Sequence, residues 1–331
     1  MRNQWWALVF ILAALVPAHA DAVLLLEEPY GRLGNVDPTG HAAVYLTGVC
    51  AVSPTVLRRC QPGETGVVIS RYHRIAGYDW LAIPLLPYLY AVDTVQEIPQ
   101  AVDARLVAEL RDGYRRAHLL ALAPNDADGR APQGDWTQLV GSAYDRRLYG
   151  FQIETIAEQD EAFIQRFNNR KNKGHYSLFF ANCADFAGAV INFYAPHAVH
   201  RNFIADAGIT TPKQVAKSLA SYARHHPIVE LSSFQIPQVP GSIPRSGPVD
   251  GVAEALLKSK KYVVPLAILS PAVTGSIAVV YLTEGRFNPK RNAGVFDIGR
   301  AVQPQPPRTA PSLESDFETE ATRAIVSGVQ N

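Results

Sequence analysis

One cysteine in the second half of the chain has neighbours that suit it to chemistry. Cys183 lies in the sequence Asn-Cys-Ala-Asp-Phe, between the apolar segment 176–181 and the segment 184–194, whose apolar residues recur at helical spacing. Asn is a strong helix N-cap residue. The pattern therefore predicts a short strand that leads through Asn182 into a helix, with Cys183 in the first turn of that helix.

A thiol in this position is suited to nucleophilic catalysis. The unpaired amides and the dipole at a helix start favour negative charge, and they lower a thiol pKa from ~8.5 into the range of ~3.5 to 7.5. The same amides can stabilise a carbonyl oxygen as it becomes negative. We therefore predict Asn182 and Cys183 as the helix-cap and oxyanion residues. Asp185, three positions after the cap, is predicted to stabilise the helix start.

A nucleophilic cysteine also needs a general base, and the chain has nine histidines. The other six are set aside because of where they fall along the chain, which leaves His41, His73 and His118. His41 follows Gly40 and begins an apolar segment that reads as a strand. A side chain at such a strand start is held rigidly and can still face a cleft.

Taken together, these segments resemble the circularly permuted papain-like group. This group includes relatives of the NlpC-type cell-wall cysteine peptidases and the lecithin:retinol acyltransferase-like enzymes. The resemblance rests on Gly40-His41 before an apolar strand with Tyr45, and on Tyr176 followed by the Asn-Cys-Ala-Asp-Phe motif. The histidine precedes the cysteine, as in that group, and the resemblance covers roughly residues 22–205.

The resemblance implies an α+β fold with an antiparallel sheet packed against a helix that bears the cysteine. The mixture of strands and helices without regular βαβ alternation independently favours α+β. By residue-to-residue transfer from the group's motif, Cys183 is the nucleophile and His41 the general base.

The group also has a third polar residue, which orients the imidazole from the strand after the histidine strand. If Cys50 and Gly66 oppose each other across a hairpin turn, His41 lies diagonal to His73 on the same face. This register predicts His73 as the third catalytic residue. A slip of one residue would present a neighbour of His73 instead.

The remaining two cysteines predict a disulfide. Cys50 and Cys60 lie ten residues apart in a segment rich in turn residues, and disulfides persist in exported proteins. Cys183 is then the odd thiol. Two alternatives to a catalytic role stay open for Cys183, which are a buried apolar position and a disulfide with Cys50 or Cys60.

Two apolar blocks predict export and a membrane anchor. The first 20 residues combine a basic residue, an apolar core and Ala18-His19-Ala20, which is typical of a cleaved signal peptide. The segment 262–283 is long and apolar enough for a transmembrane helix and has basic flanks. The alternatives are an uncleaved anchor for the first block and a buried hairpin or core helix for the second.

The predicted organisation is a signal peptide over 1–20, a permuted papain-like catalytic domain over 21–245, a linker over 246–261, the transmembrane helix, and a disordered tail over 284–331. The protein is therefore expected in the periplasm or cell envelope, anchored by residues 262–283.

Composition narrows the function. With 31 basic and 30 acidic residues the net charge is +1, so nucleic acid is not an expected partner. No metal is predicted, since the acidic loop 125–135 lacks the alternating oxygen ligands and closing Glu of a calcium loop. No cofactor is predicted either. The sequence predicts a cell-envelope thiol hydrolase, a peptidase or amidase acting through a Cys183 thioester, with a peptidoglycan peptide as substrate. The alternatives are a lipid-directed acyltransferase or thioesterase and a non-catalytic binding module, and the oligomeric state stays open.

Overall fold

The computed structural model of the protein describes residues 19–31, 39–73, 75–204, 206 and 208–302. The strands within these ranges are β1 (His19–Glu27), β2 (His41–Leu46), β3 (Val49–Ser53), β4 (Val56–Arg59), β5 (Val67–Ser70), β6 (Leu81–Pro84), β7 (Leu148–Ile156), β8 (Leu231–Ile236) and β9 (Gly294–Val295). The α-helices are α1 (Leu85–Tyr90), α2 (Ala104–Tyr114), α3 (Ser142–Asp145), α4 (Ala157–Asn168), α5 (Cys183–Tyr194), α6 (Pro212–His225), α7 (Val252–Lys258), α8 (Lys260–Leu269), α9 (Pro271–Val280) and α10 (Ile298–Val302).

Seven of these strands form one mixed sheet, in the order β6-β5-β2-β1-β7-β8-β9. Neighbouring strands are antiparallel except for β8 and β9, which pair in parallel. The fold is α+β, but the prediction of an antiparallel sheet is wrong at this edge. A parallel neighbour needs a long crossover connection, and the helices α7, α8 and α9 supply one between β8 and β9.

The strand β1 lies at the centre of the sheet and is buried on both faces. Ala22, Leu24 and Leu26 belong to the core beneath α4, α5 and α6, whereas Val23 and Leu25 belong to the core beneath α1, α2 and α3. A strand covered on both faces has an unbroken apolar sequence rather than an alternating one. Helix α5, which begins at Cys183, packs on β2 and β1.

A clipped hairpin separates β2 from β5. The strands β3 and β4 form their own two-stranded sheet, and the predicted disulfide between Cys50 and Cys60 is confirmed, with an S–S distance of 2.07 Å. Such a bond is typical of proteins that fold in an oxidising compartment. Because this hairpin leaves the main sheet, pairing of β2 with β5 ends at Leu46 and Val67 rather than continuing toward Cys50.

The predicted transmembrane helix over 262–283 is wrong. The segment is divided between α8 and α9 at Ser270, whose φ of −151° and ψ of 79° are not helical. Pro271 explains the break, because proline lacks an N–H and disfavours the helical conformation in the residue before it. Each helix of ten residues spans ~15 Å, about half of a bilayer core. Within the described ranges, no helix combines the length and apolar character needed to cross a membrane.

The other boundaries predicted from the sequence stay predictions. The signal peptide falls on residues outside the described part of the chain, apart from His19 and Ala20, which pair with β7. In the segment predicted as a linker, the Ser246 hydroxyl donates a hydrogen bond of 2.6 Å to Glu28. The segment predicted as a tail contains β9 and α10, and its residues 303–331 lie outside the described part.

Candidate active site

Cys183 is the first residue of α5, as the Asn-Cys motif predicts. The Asn182 side chain accepts a hydrogen bond of 2.9 Å from the Asp185 amide, while the Asp185 carboxylate accepts one of 3.2 Å from the Asn182 amide. This reciprocal pair is a capping box, which satisfies two of the unpaired donors at a helix start. Asp185 therefore has the structural role expected of it. Cys183 is buried and is not in a disulfide.

The cap is itself fixed by the loops on either side of it. The side-chain amide of Asn182 donates hydrogen bonds of 2.9 Å to the carbonyl oxygens of Leu178 and Thr210. The residues before it do not form the predicted strand. They form a tight loop in which Ser177 and Ala181 exchange both backbone hydrogen bonds, so that residues 178–180 are its tip. The position of Cys183 is thus set by a network of backbone contacts.

His41 begins β2 and is buried at the end of the main sheet. Gly40 before it has a φ of +74°, and a Cβ at that position would lie 2.1 Å from the carbonyl oxygen of Glu27. Only glycine fits there, since both the backbone conformation and the close approach exclude a side chain. The glycine before His41 is therefore required by the close approach of the start of β2 to the end of β1.

Ser70 holds the imidazole of His41. The distance between His41 Nε2 and Ser70 Oγ is 3.1 Å, and the Ser70 hydroxyl donates its hydrogen to the Ala42 carbonyl oxygen at 2.8 Å. A serine hydroxyl has one hydrogen, so Ser70 can only accept from His41. Neutral His41 therefore carries its proton on Nε2, and Nδ1 is left as the basic nitrogen.

His73 does not take the predicted third position. Its Nδ1 lies 3.2 Å from an Asp135 carboxylate oxygen, its ring meets the ring of Tyr176 edge-on, and the side chain is half-exposed. The reason is the register of β2 and β5. Val44 pairs with Ile69, and the same register continued places Ser70, not His73, diagonal to His41. His73 lies at the wall of the cavity that contains His41 and Cys183.

A buried carboxylate lies beside His41 on the neighbouring strand. Glu27 is the register partner of His41 and is fully buried. It accepts hydrogen bonds from Tyr88 and from Ser142, the latter at 2.8 Å, and its Oε2 lies 3.0 Å from Arg146 Nε. Burial alone raises the pKa of Glu27, but Arg146, His41 and the two hydroxyl groups outweigh it and hold the pKa below its ordinary value. Glu27 is therefore ionised next to the imidazole.

Tyr72 lies against the histidine and lines the same cavity as the cysteine. Its ring stacks on the His41 ring with centroids 5.3 Å apart. Burial raises the pKa of Tyr72 far above its ordinary value, and the charges of Glu27 and Cys183 add to that rise. The phenol therefore stays neutral, and it is close enough to both groups to feel their charges.

His41 and Cys183 line the same cavity, which has a volume of about 530 Å³. Further lining comes from Tyr72 and Asn182, and from the apolar side chains of Leu178 and Ile209. The structure thus brings a thiol at a capped helix start and an oriented imidazole to one opening. Their catalytic roles stay a prediction. Among the described residues, the cluster of Cys50, Cys60 and Glu64 has metal-ligand spacing, but both of its sulfur atoms are used in the disulfide.

Ser70 and Glu27 are the residues that sequence reasoning missed. Ser70 is the single polar residue that ends the apolar strand Val-Val-Ile-Ser, and Glu27 directly follows the unbroken apolar run of β1. Each is a polar residue at the end of a strand buried on both faces, and that pattern was the available signal.

Comparison with known proteins adds little. Neither the protein-family models nor the curated proteins give a match to this sequence. Among solved structures, the chain is similar to the crystal structure of a type VI secretion system effector, TseH, at 12% sequence identity and a TM-score of 0.29. The match covers 66% of this chain and 93% of that one. A likeness at this TM-score carries no argument about function.

Proposed function

We propose that this protein is a thiol hydrolase, a peptidase or amidase, in which Cys183 is the nucleophile and His41 the general base. The observation that supports it is the opening lined by both Cys183 and His41, with the thiol at a capped helix start and the imidazole held by Ser70. Two further groups at the site argue against the alternative that Cys183 is an inert buried cysteine. These are the basic Nδ1 of His41 and the ionised carboxylate of Glu27 beside it.

The geometry supports the following chemistry. His41 Nδ1 takes the proton of the Cys183 thiol, and the sulfur adds to the carbonyl carbon of the substrate. The amides at the start of α5 stabilise the oxygen that becomes negative. The imidazolium then gives its proton to the leaving amine, and a water molecule activated by His41 hydrolyses the thioester. The Glu27 carboxylate stabilises the imidazolium form, and Ser70 accepts its Nε2 hydrogen.

The substrate proposed first is a peptidoglycan peptide, in keeping with an exported protein that carries a disulfide. A lipid-directed acyltransferase or thioesterase is the second candidate, since it needs the same thioester and differs only in the acyl donor and acceptor. The observation that favours this second candidate is a group of exposed apolar side chains at the edge of the cavity, around Leu178.

The test is to trap the acyl group on the enzyme. The full chain is incubated with soluble muropeptides and, separately, with phospholipids, and both the released products and the mass of the protein are measured. The proposal expects product and an acyl adduct on Cys183 with one class, and neither with Cys183→Ala. A folded protein that gives no product and no adduct with either class would favour the non-catalytic binding module.

A further inference from the structure

The loop before Cys183 exposes three large apolar residues at its tip. Between the hydrogen-bonded Ser177 and Ala181, the tip consists of Leu178, Phe179 and Phe180, all exposed. The Phe180 side chain is 74% exposed. Large apolar side chains usually bury most of their area, and one leucine and two phenylalanines in succession at a loop tip form an apolar patch that water solvates poorly.

A second loop adds two more apolar residues beside this tip. Phe203 and Ile204 are 74% and 69% exposed. Arg201 joins the two loops, because its guanidinium lies 3.4 Å from the Phe180 carbonyl oxygen and 2.8 Å from the Asp185 carboxylate. We call the five residues 178–180 and 203–204 the apolar rim.

The apolar rim is next to the candidate active site but is mostly outside it. Of its members only Leu178 lines the cavity with Cys183. A small substrate bound in that cavity would leave the two phenylalanines of the tip and both residues of the second loop uncovered. A partner that covered the whole rim would therefore need an extended apolar surface.

The charges around the rim indicate what that surface is. Arg170, Lys171 and Lys173 are exposed and lie shortly before the tip, and no acidic residue occurs between position 170 and Asp185. Lys173 also lines a second cavity, which shares Tyr176 with the first. Each of the two acidic side chains that line these cavities has a basic or imidazole partner. Asp79 lies 2.7 Å from Arg71, and Asp135 pairs with His73.

We propose that the apolar rim is a docking surface for an anionic lipid bilayer. Exposed aromatic and aliphatic side chains flanked by basic residues are the pattern with which peripheral proteins bind the interface of such bilayers. Phe179, Phe180 and their neighbours enter the acyl region, and the lysines meet the anionic headgroups. The mouth of the cavity then faces the lipid, with Leu178 forming both cavity wall and docking tip.

This docking goes beyond the proposed hydrolysis and does not depend on it. Binding is therefore measured with the full chain carrying Cys183→Ala, so that a failure of the catalytic proposal leaves the docking test intact. The probe is a set of vesicles, one of phosphatidylcholine alone and one of phosphatidylcholine with about a quarter phosphatidylglycerol. Vesicle flotation gives the bound fraction and the partition coefficient.

We expect binding to the anionic vesicles, weaker binding to the neutral ones, and weakening by salt because headgroup attraction is screened. Phe180→Glu is expected to lower the partition coefficient at least about tenfold, since it removes an aromatic side chain that enters the bilayer and adds a repelled charge. Lys171→Glu with Lys173→Glu should weaken binding to anionic vesicles only.

The matched control is Ile228→Glu. Ile228 is 95% exposed and follows the C-terminal end of α6, whereas Pro212 at the N-terminal end of that helix lines the cavity. A helix of 14 residues separates the two ends by ~21 Å. This variant should bind as the parent does. The proposal is overturned if the parent binds neither vesicle, or if Ile228→Glu loses as much binding as Phe180→Glu. It is also overturned if Phe180→Glu abolishes self-association of the chain and leaves vesicle binding unchanged, since the rim would then be an interface between copies of the chain.

Discussion

Two buried carboxylates, one near each end of the central strand β1, have opposite electrostatic behaviour. Glu27 ends the strand beside His41. Asp160, on α4, lies near the other end of β1, because a Cβ placed on Gly48 would lie within 3 Å of both Asp160 and Ala20. Neither side chain is exposed to any extent. Burial dominates at Asp160 and raises its pKa to about 6, against the lowering effect of the Tyr194 hydrogen bond. Burial acts on Glu27 as well, but there its partners outweigh it and the pKa falls.

The two pKa values shift in opposite directions because the carboxylates have different partners, not because one is more deeply buried. Glu27 has the Arg146 guanidinium, His41 and two hydroxyl donors. Asp160 has one hydroxyl donor, from Tyr194 at 3.0 Å, and its Oδ2 has no hydrogen-bond partner among the described residues. A buried carboxylate stays charged only where such partners offset its lost hydration. The fold thus keeps a negative charge at neutral pH at the His41 end of the sheet, where an imidazolium would need it.

The largest effect should come from neutralising Glu27. In Glu27→Gln the Tyr88 hydrogen bond can persist, but Arg146 becomes a buried charge that has lost its ion-pair partner, which costs about 3–5 kcal/mol of unfolding free energy. Urea unfolding at pH 7 measures it. The matched control is Glu64→Gln, which breaks the partly exposed pair with Arg58 and should cost at most about 1 kcal/mol. Equal losses in the two variants would contradict the account of Glu27.

The pH dependence of stability should separate the two carboxylates next. The folded-state pKa of Asp160 is raised, so the folded protein holds this proton more tightly than the unfolded chain, and the Asp160 contribution to stability falls as pH rises from about 4 to about 6. The shift corresponds to roughly 3 kcal/mol. The lowered pKa of Glu27 acts in the opposite sense, since its contribution is present above the unfolded-state pKa and is lost in acid.

Asp160→Asn removes the contribution of Asp160 to the pH dependence of stability. Urea unfolding at pH 4.5 and at pH 7 should therefore show that the variant gains stability relative to the natural chain as pH rises. If the difference between the two proteins is the same at both pH values, Asp160 does not have a raised pKa in the folded state.

A smaller effect is expected from Ser70→Ala. It removes the acceptor that fixes the His41 tautomer, and a hydrogen bond of this kind contributes about 0.5–1.5 kcal/mol. The rate of Cys183 alkylation at pH 6 should fall by roughly 2- to 10-fold. Ser53→Ala, which removes a hydroxyl from the β3–β4 hairpin, is the control and should leave the rate unchanged. An unchanged rate in Ser70→Ala would exclude Ser70 as the residue that orients His41.

The smallest effect should come from His73→Ala. Because His73 pairs with Asp135 and is half-exposed, its removal should change the Cys183 alkylation rate by less than about twofold. The same rate measurement, run beside Ser70→Ala, decides between the two residues. A larger loss in His73→Ala than in Ser70→Ala would restore the residue predicted from the sequence.

Local signals in the sequence were sufficient for the parts of the site that one segment determines. The Asn-Cys motif predicted the capped start of α5, and the spacing of Cys50 and Cys60 predicted the disulfide. In each case the hydrogen bonds or the covalent bond link residues close in the chain, so the residue types themselves carry the information.

What the sequence did not predict depends on pairing between distant segments. The choice of Ser70 over His73 follows from where the β3–β4 hairpin leaves the sheet, and a register cannot be counted through a hairpin whose exit point is unknown. The partners of Glu27 come from α1, α3 and the residue after α3. The long apolar segment 262–283 suggested a membrane span. Pro271 divides this segment into two helices, because proline interrupts helical hydrogen bonding.

The central claim is that Cys183 is a thiolate nucleophile activated by the helix start and by His41. Its most direct test is the rate of Cys183 alkylation by iodoacetamide between pH 4 and pH 10, in the full chain and in His41→Ala. The account predicts that the rate in the natural chain titrates with an apparent pKa below ~7.5, and that His41→Ala moves it toward the ordinary thiol value of ~8.5. An apparent pKa at or above ~8.5 in the natural chain, or an unchanged profile in His41→Ala, would contradict the account.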